Sequence, residues 1–500
     1  MKRIIVRLIS ILPALALQLI WYAIIYNFYQ EHQQILQLIL GIYTIVIVLY
    51  IVLKKDEPTY KITWLIALFV FPVFGTWLYI WYGDNKTSEK LLKKINIAKK
   101  SIKFRHETDK KIIKELSDNT SSYDEIIEFI SKYSKFPINY IEDAKYYPLG
   151  DLMYLDILEE LKKAKEFIYL EYFIIANGKL WNLITEILKE KVKLGVDVRI
   201  MYDDIGSITT YNKKDIKVLK KYGIKCKAFN VFTSIRGELN NRDHRKMMII
   251  DNKVAFSGGI NLADEYINEK HKYGHWKDIG FKITGKPVSN YTYMFIEFWN
   301  AFSKDKINRK IEQNNNKKNN NNGYILSYYD YPNKKEAISN DLYIELLENA
   351  KQYIYFYTPY LILGDDLLKA LIRTARRGVD IRIIVPGIPD KKIVYRLAKS
   401  YFNELIEAGI KIYIYTPGFI HGKATLSDDL ICTIGTVNLD YRSLFLHFEN
   451  NSIFYKSKIL FELKKDYLET LKKCKIVKVK KKNIINYFND GLLRLIAPML

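Results

Sequence analysis

Cysteine is nearly absent from this chain. Three occur in 500 residues, Cys226, Cys432 and Cys474, far apart and with no zinc-ligand spacing. That excludes a disulfide-stapled secreted scaffold and a thiolate metal centre; an odd, scattered set fits packing roles in a reducing compartment. No cluster of carboxylates suggests a cation site either, so no metal and no other cofactor is expected. Histidine is scarce, with seven residues. Acidic residues are in deficit: 78 Lys and Arg face 55 Asp and Glu, a net charge of +23. A balance this basic implies an anionic partner, nucleic acid or acidic lipid headgroups.

Charge is also missing locally, and that chooses between the partners. Residues 4–28, 35–53 and 61–83 are apolar stretches, each close to the ~20 residues that a membrane helix needs. "ILQLILGIYTIVIVLYIVL" and "ITWLIALFVFPVFGTWLYIWYG" contain no charged residue, and the aromatics of the second suit an interfacial belt. The first stretch is interrupted by Arg7, Pro13 and Gln18. It reads as a span, an interfacial helix or an uncleaved anchor, because no small-residue cleavage site is evident. Eleven Lys and Arg follow between 86 and 114, which puts that segment on the cytoplasmic side. With Lys2, Arg3 and Arg7 on the same side, the number of complete spans is even. Two are expected, with 35–53 and 61–83 as the pair, at the cost of Lys54 and Lys55 between them. The expectation is a multi-pass protein of a bacterial cell membrane, its catalytic lobes facing the cytoplasm, with no nucleic acid partner. Oligomeric state is not legible.

Beyond residue 135 helices alternate with short apolar strands, an α/β signature, and the pattern repeats. "LEELKKAKEFIYLEYFII" (158–175) parallels "IELLENAKQYIYFYTPYLI" (344–362), and "KLGVDVRIMYDD" (193–204) parallels "RRGVDIRIIVPG" (376–387). Between the halves "EQNNNKKNNNNG" (312–323) is too polar to bury a core. The expected organisation is a membrane-anchoring region at 1–84, a basic juxtamembrane linker at 85–135, a first lobe at 136–312, an Asn/Lys-rich loop at 313–323 and a second lobe at 324–500. The lobes are mixed sheets flanked by helices, related by a pseudo-twofold.

Each half carries one His-x-Lys motif. From His244 and from His421, Lys follows at +2 (Lys246, Lys423) and Asp at +7 (Asp251, Asp428). Gly follows at +14 (Gly258, Gly435) and Asn at +17 (Asn261, Asn438). On a strand, residues two apart face the same side, so each His–Lys pair points at one site. Two lobes meeting about a pseudo-twofold would bring two His and two Lys around one point. Ammonium groups and Asn amides suit a tetrahedral phosphoryl oxyanion. Two histidines permit a double displacement, in which one attacks phosphorus while the other protonates the leaving alcohol and then deprotonates the incoming one. An aspartate can orient an imidazole.

These paired motifs resemble those of the phospholipase D superfamily, and the chain is similar to its bacterial cardiolipin synthases over nearly its whole length. "DEPTYKITWLIALFVFPVFGTWLYIWYG" (56–83), "GGINLADEYINEKHKYGHWKDIGFKITGKPV" (258–288), "IGTVNLDYRSLFLHFENN" (434–451) and "GLLRLIAPML" (491–500) carry the likeness. The resemblance implies metal-independent transphosphatidylation, in which two phosphatidylglycerols give cardiolipin and glycerol through a phosphatidyl-histidine. Hydrolysis, or transfer to another acceptor such as phosphatidylethanolamine, is the alternative. It implies His244, Lys246, Asp251, His421, Lys423 and Asp428 as the site, Asn261 and Asn438 as phosphate ligands, and Glu171 and Glu449 as groups that orient the histidines. Which histidine is the nucleophile stays open at this point, with analogy within the superfamily favouring His244. Thr436 stands where the first copy has Gly259, and Tyr357 where it has Glu171.

Plainer readings stand beside these. His32, His106, His271, His275 and His447 are surface or satisfied core residues. Gly258 and Gly435 allow close backbone packing, and Asp251-Asn252 looks like a hairpin tip. The basic run 472–483 is a solvated edge or a holder of acidic lipid, and the last fourteen residues are core packing or an interfacial helix, with core favoured.

Overall fold

The structure is a computed structural model of the chain. It describes residues 33–497 except 55–57, 84–85, 102–106, 119–120, 232–239, 310, 312–321, 333–336 and 482, with a few positions between 16 and 23. The apolar stretch 4–28, His32, His106 and most of the Asn/Lys tract therefore lie outside the described residues.

Two sheets repeat one topology. The first has seven strands in the order 143–147, 280–284, 254–258, 246–250, 167–172, 197–203, 225–229. The second runs 324–330, 449–455, 431–435, 424–427, 353–357, 380–386, 411–415, with one short strand added at each edge. The match is strand for strand, so the repeat read from sequence is a duplicated sheet. In each, a helix (Lys179–Lys193 or Asp365–Arg376) joins two parallel strands as a crossover. Each helix stops at a glycine in the left-handed region, Gly195 at φ +87° and Gly378 at φ +92°. The added strand Asn139–Tyr140 pairs with Tyr324 and Ile325, so the sheet boundary does not follow the chain boundary expected at 136.

The lobes share one core. Tyr169, Met247 and Ile249 of the first sheet belong to the same buried cluster as Leu326, Tyr328 and Ile354 of the second. Helix Val288–Phe302 lies within it with residues 288–300 all buried, which is why its sequence is apolar on every side. The basic segment after residue 85 is more than a linker. Helix Lys86–Ser101 packs on Val288–Phe302, and helix Ser122–Ser134 packs on the second lobe, where Tyr123 Oη donates to Asp428.

Asp251 and Asp428 take the same position in the two sheets. Each sits at the tip of the hairpin that follows its motif strand, at φ +53° and +52°. The Asp251 carboxylate accepts from the backbone N–H of Lys165, Glu166 and Phe167 at 2.7–2.8 Å. Asp428 accepts from Lys351, Gln352 and Tyr353 at 2.7–2.9 Å. These are clamps on the start of the neighbouring strand, and neither carboxylate meets an imidazole. The hairpin-tip reading therefore stands for both, and the expectation that they belong to the reacting group is corrected.

At the N-terminus no helix among the described residues is long and apolar enough to cross a membrane. Helix Gln33–Leu53 has 21 residues and no charge, with several side chains of its first two turns outside the description. The stretch 61–83 is not one span. It breaks at Phe71–Pro72 into Pro58–Val70, Pro72–Leu78 and a wider turn at 79–83. Pro72 has no N–H to donate and disfavours helical geometry at Phe71, whose φ is −135°. Tyr60, Trp64, Leu68 and Tyr79 then bury against Tyr441 and Leu446 of the second lobe, with the Tyr60 and Tyr441 rings stacked at 6.3 Å.

Asp251→Ala removes an acceptor from three backbone donors. We expect a loss of about 3 kcal/mol, because each such bond is worth ~1 kcal/mol net and more when charge-assisted. A lowered melting temperature in detergent, with turnover per folded molecule within tenfold of the parent, is the expected outcome.

Candidate active site

The strands that carry the motifs end at the seam between the lobes, and there the chain pairs across it. Residues 418–420 run parallel to 275–277, with Ile420 opposite Lys277, and His421 N–H donates to Lys277 O at 2.7 Å. On the other side Asp243 bridges Phe448 in parallel, and His244 N–H donates to Phe448 O at 2.8 Å. In both bridges the residue after the partner is acidic, Asp278 or Glu449. Parallel pairing therefore sets an acid of one lobe beside the histidine of the other. His244 Nδ1 lies 2.9 Å from both Glu449 oxygens, and His421 Nδ1 lies 2.5 Å from Asp278 Oδ2.

Lys246 and Lys423 return to their own histidines. Each Nζ donates to the histidine carbonyl two residues before it, at 2.5 Å in both copies. Lys423 Nζ also lies 3.0 Å from His421 Nε2. The seam is stitched by Asn450, which accepts from Lys246 N–H at 3.2 Å and donates to Ser257 Oγ at 2.7 Å. Rings close the sides, Phe173 on His244 and Trp276, Phe419 and Tyr266 around His421.

Comparing the copies accounts for their differences. A Cβ on Gly259 would lie 2.1 Å from Asp278 Oδ1, so only glycine lets this carboxylate reach His421. At the equivalent place Thr436 donates its hydroxyl to Glu449 at 2.5 Å. Glu171 does not reach a histidine: it pairs with Arg245, which also holds Asp243 at 2.9 Å. Its expected orienting role is corrected, because the strand Phe167–Tyr172 turns this side chain to the arginine. Tyr357, in its place in the second sheet, reaches Asp466, which binds Lys277 at 2.6 Å.

Asn261 and Asn438 are buried beside the site but engaged within their own lobes. Asn261 accepts from Ile174 N–H and donates to Tyr266 Oη at 2.7 Å. Asn438 donates to Asp440 at 3.3 Å and to Ser443 at 3.1 Å. Their amides hold the loops around the histidines. Asp278 was not anticipated. The signal was present, since Glu449 opens strand 449–455 and Asp278 lies two residues before the equivalent strand 280–284, but loops of unequal length hide it from counting by fixed offset.

The electrostatics describe a site short of negative charge. Burial, and then the two lysines, hold His244 well below the usual imidazole range. Burial and Lys423 bring His421 down to about 4 against the opposing Asp278. Burial lowers Lys246 to about 7 and Lys423 to about 8. That Lys423 acts on His244, and Lys246 on His421, reflects one shared site. The acids differ. Burial drives Glu449 up to about 8, whereas at Asp278 the pull of burial is outweighed by His421 and Lys423, which keep it below the ordinary carboxylate value. A tetrahedral anion in this seam would supply what the buried ammonium groups lack.

Comparison with known proteins gives the following. A family model described as cardiolipin synthase, PLD-like domain, matches residues 157–289 and 343–471. The cardiolipin synthase of Alkalihalophilus pseudofirmus is 31% identical over 93% of this chain and 94% of its own length. That of Clostridium perfringens is 30% identical over 90% and 96%. An uncharacterized protein of Streptococcus mutans is 39% identical over 91% of this chain and 99% of its own. Among solved structures, phosphatidylserine synthase of Haemophilus influenzae superposes with a TM-score of 0.59 at 15% identity, over 76% of this chain and 98% of that one. This last likeness concerns the fold alone.

An anion that restores the lysine protons binds with proton uptake, so its affinity is highest below the free-site values and falls as pH rises past them. Tungstate, whose charge is constant over this range, is expected to lose affinity steadily between pH 7 and 9, up to about tenfold per unit for each proton taken up. Titration calorimetry showing constant affinity would contradict the lysine assignment.

Proposed function

The chain belongs to the phospholipase D-like cardiolipin synthase family, and from that premise we propose that it joins two phosphatidylglycerols into cardiolipin and glycerol through a covalent phosphatidyl-histidine. The observation that carries this reading is the pair of buried histidines, each bound at Nδ1 by a carboxylate of the opposite lobe. That leaves Nε2 as the reacting nitrogen of each.

His244 is the nucleophile and His421 the acid. In the free site burial and Lys423 lower His421 to about 4. Asp278 at its Nδ1, joined by the anionic phosphodiester of a bound substrate, opposes that and supports the imidazolium of the acid step, whereas burial drives Glu449 up and weakens such support at His244. His244 Nε2 attacks phosphorus of the first phosphatidylglycerol. The bond from phosphorus to the headgroup glycerol oxygen breaks, and His421 gives that oxygen its proton. The primary hydroxyl of a second headgroup then passes its proton to His421 and attacks phosphorus. The bond to His244 breaks and cardiolipin leaves. Lys246 and Lys423 neutralise the phosphoryl oxygens, whose charge grows in both transition states. Water in place of the second headgroup would give phosphatidic acid by the same steps.

The lipid substrate implies a place at the bilayer. On sequence alone, the uncharged segment 33–53 and the apolar stretch 4–28 are the candidates for that place. We read these two as the membrane-associated pair, and the broken stretch 58–83 as the part in the interface. That keeps the number of spans even and the basic segment after residue 85 on the cytoplasmic side. Contact of Tyr60 with Tyr441 sets the segment that follows Asn438 against this part of the chain.

A phosphatidyl ester of p-nitrophenol, whose leaving group needs no proton, separates the two histidines. His421→Ala is expected to release one nitrophenol per enzyme and to hold a phosphatidyl adduct on His244, found by mass spectrometry. His244→Ala is expected to give neither. The reverse pattern would exchange the roles, and steady turnover by both variants would rule out the covalent route.

A further inference from the structure

The C-terminal helix Ile484–Leu495 is turned inside out. A helix on the surface of a soluble lobe buries its apolar side; this one buries none of its residues. Ile484, Ile485, Tyr487, Phe488 and Leu492 are all exposed, Ile484 at 86% and Phe488 at 67%. Of the two readings of this segment, its exposed face fits the interfacial helix, while Leu493 and Ala497 pack against the core. Apart from Leu493, which packs against the core, the inward side is held by polar contacts. Arg494 Nη1 binds Glu404 at 2.9 Å, Nη2 donates to Ser400 O at 2.8 Å, and the guanidinium lies 4.3 Å from the centre of the Tyr401 ring. Asn483 caps the first turn by accepting from Asn486 N–H at 2.9 Å. The helix is therefore held in a fixed orientation by its polar groups, with its apolar groups facing away from the protein.

Two independent observations say what covers that face. The helix is continuous with the N-terminal apolar region: it packs beside Pro58–Val70, and Thr63 Oγ1 donates to Leu495 O at 2.5 Å. On that neighbour Ile62, Ile66, Phe69 and Val70 are also exposed, so the two helices present one apolar surface. The chain entering the helix is cationic, with Lys475, Lys478, Lys480 and Lys481 all exposed. An apolar face bordered by lysines fits the boundary of acyl chains and anionic headgroups, where each lysine near the surface adds ~1 kcal/mol.

We propose that Ile484–Leu495 and the lysine-rich segment before it form a second membrane-docking element, seated in the headgroup layer of a bilayer bearing anionic phospholipid. With Pro58–Val70 it fixes the orientation of the second lobe over the bilayer, with the short helix Tyr441–Phe445, which packs on Pro58–Val70, at the membrane side. This rests on the reading that the N-terminal helices lie in the membrane, and the test separates the two.

The full chain, with Cys226 and Cys474 replaced by alanine, is reconstituted in phosphatidylcholine–phosphatidylglycerol bilayers. A nitroxide is placed in turn at Phe488→Cys, Ile39→Cys and Glu186→Cys. Relaxation by oxygen and by a water-soluble nickel chelate then reports each position. The label at 488 is expected to respond to oxygen and be shielded from nickel, as at 39, with the opposite response at 186. A 488 label open to nickel while 39 is shielded overturns the docking element and leaves the N-terminal anchor standing. A 488 label shielded from both reagents means a protein partner covers the face, which also overturns the proposal. If 39 is open to nickel and 488 is in lipid, the docking element stands and the anchor reading falls.

Discussion

Parallel pairing of short segments across the lobe seam is the constraint on which the site depends. Ile420 against Lys277 and Asp243 against Phe448 each bring two segments into register, and the next residue on each is a motif histidine or the carboxylate that contacts it. Neither lobe can assemble a competent histidine alone, because the carboxylate at each Nδ1 comes from the other lobe. Duplication of the sheet explains why this happens twice. The shared core around Val288–Phe302 explains why the seam is rigid enough to hold distances of 2.5–2.9 Å between ring and carboxylate.

The second consequence is electrostatic. Two lysines and two histidines are buried with only two carboxylates in direct contact, so burial works against every positive charge in the seam. Proteins tolerate such an arrangement where a ligand completes it, and functional sites are where such strongly shifted groups gather. The asymmetry between the acids is as informative as the symmetry of the motifs. Asp278 stays charged because His421 and Lys423 outweigh its burial, whereas Glu449 does not. Equivalent positions of the duplicated sheet thus hold their acids in different electrostatic surroundings.

Much of this was legible in the sequence. Matching offsets from His244 and His421 revealed the duplication and both lysines, because strand residues obey a fixed period. Glu449 was reached through the family likeness. Asp278 was missed because it lies thirty-four residues past its motif histidine and Glu449 only twenty-eight, and loop length carries no period. Glu171 was misread since a carboxylate on the adjacent strand is a plausible partner until Arg245 is seen to claim it. Asp251 and Asp428 belong to the motif for a reason that sequence spacing does not express, the clamping of backbone donors. At the ends of the chain hydropathy gave the apolar segments but neither the break at Pro72 nor the direction of the last helix, both of which depend on what packs against them.

The most direct test of the account is the stoichiometry of products. Purified enzyme in mixed micelles with phosphatidylglycerol, a chelator and no added metal is followed by lipid mass spectrometry and a coupled glycerol assay. One glycerol for each cardiolipin is the predicted result. Phosphatidic acid without cardiolipin would make water the acceptor and contradict the synthase reading.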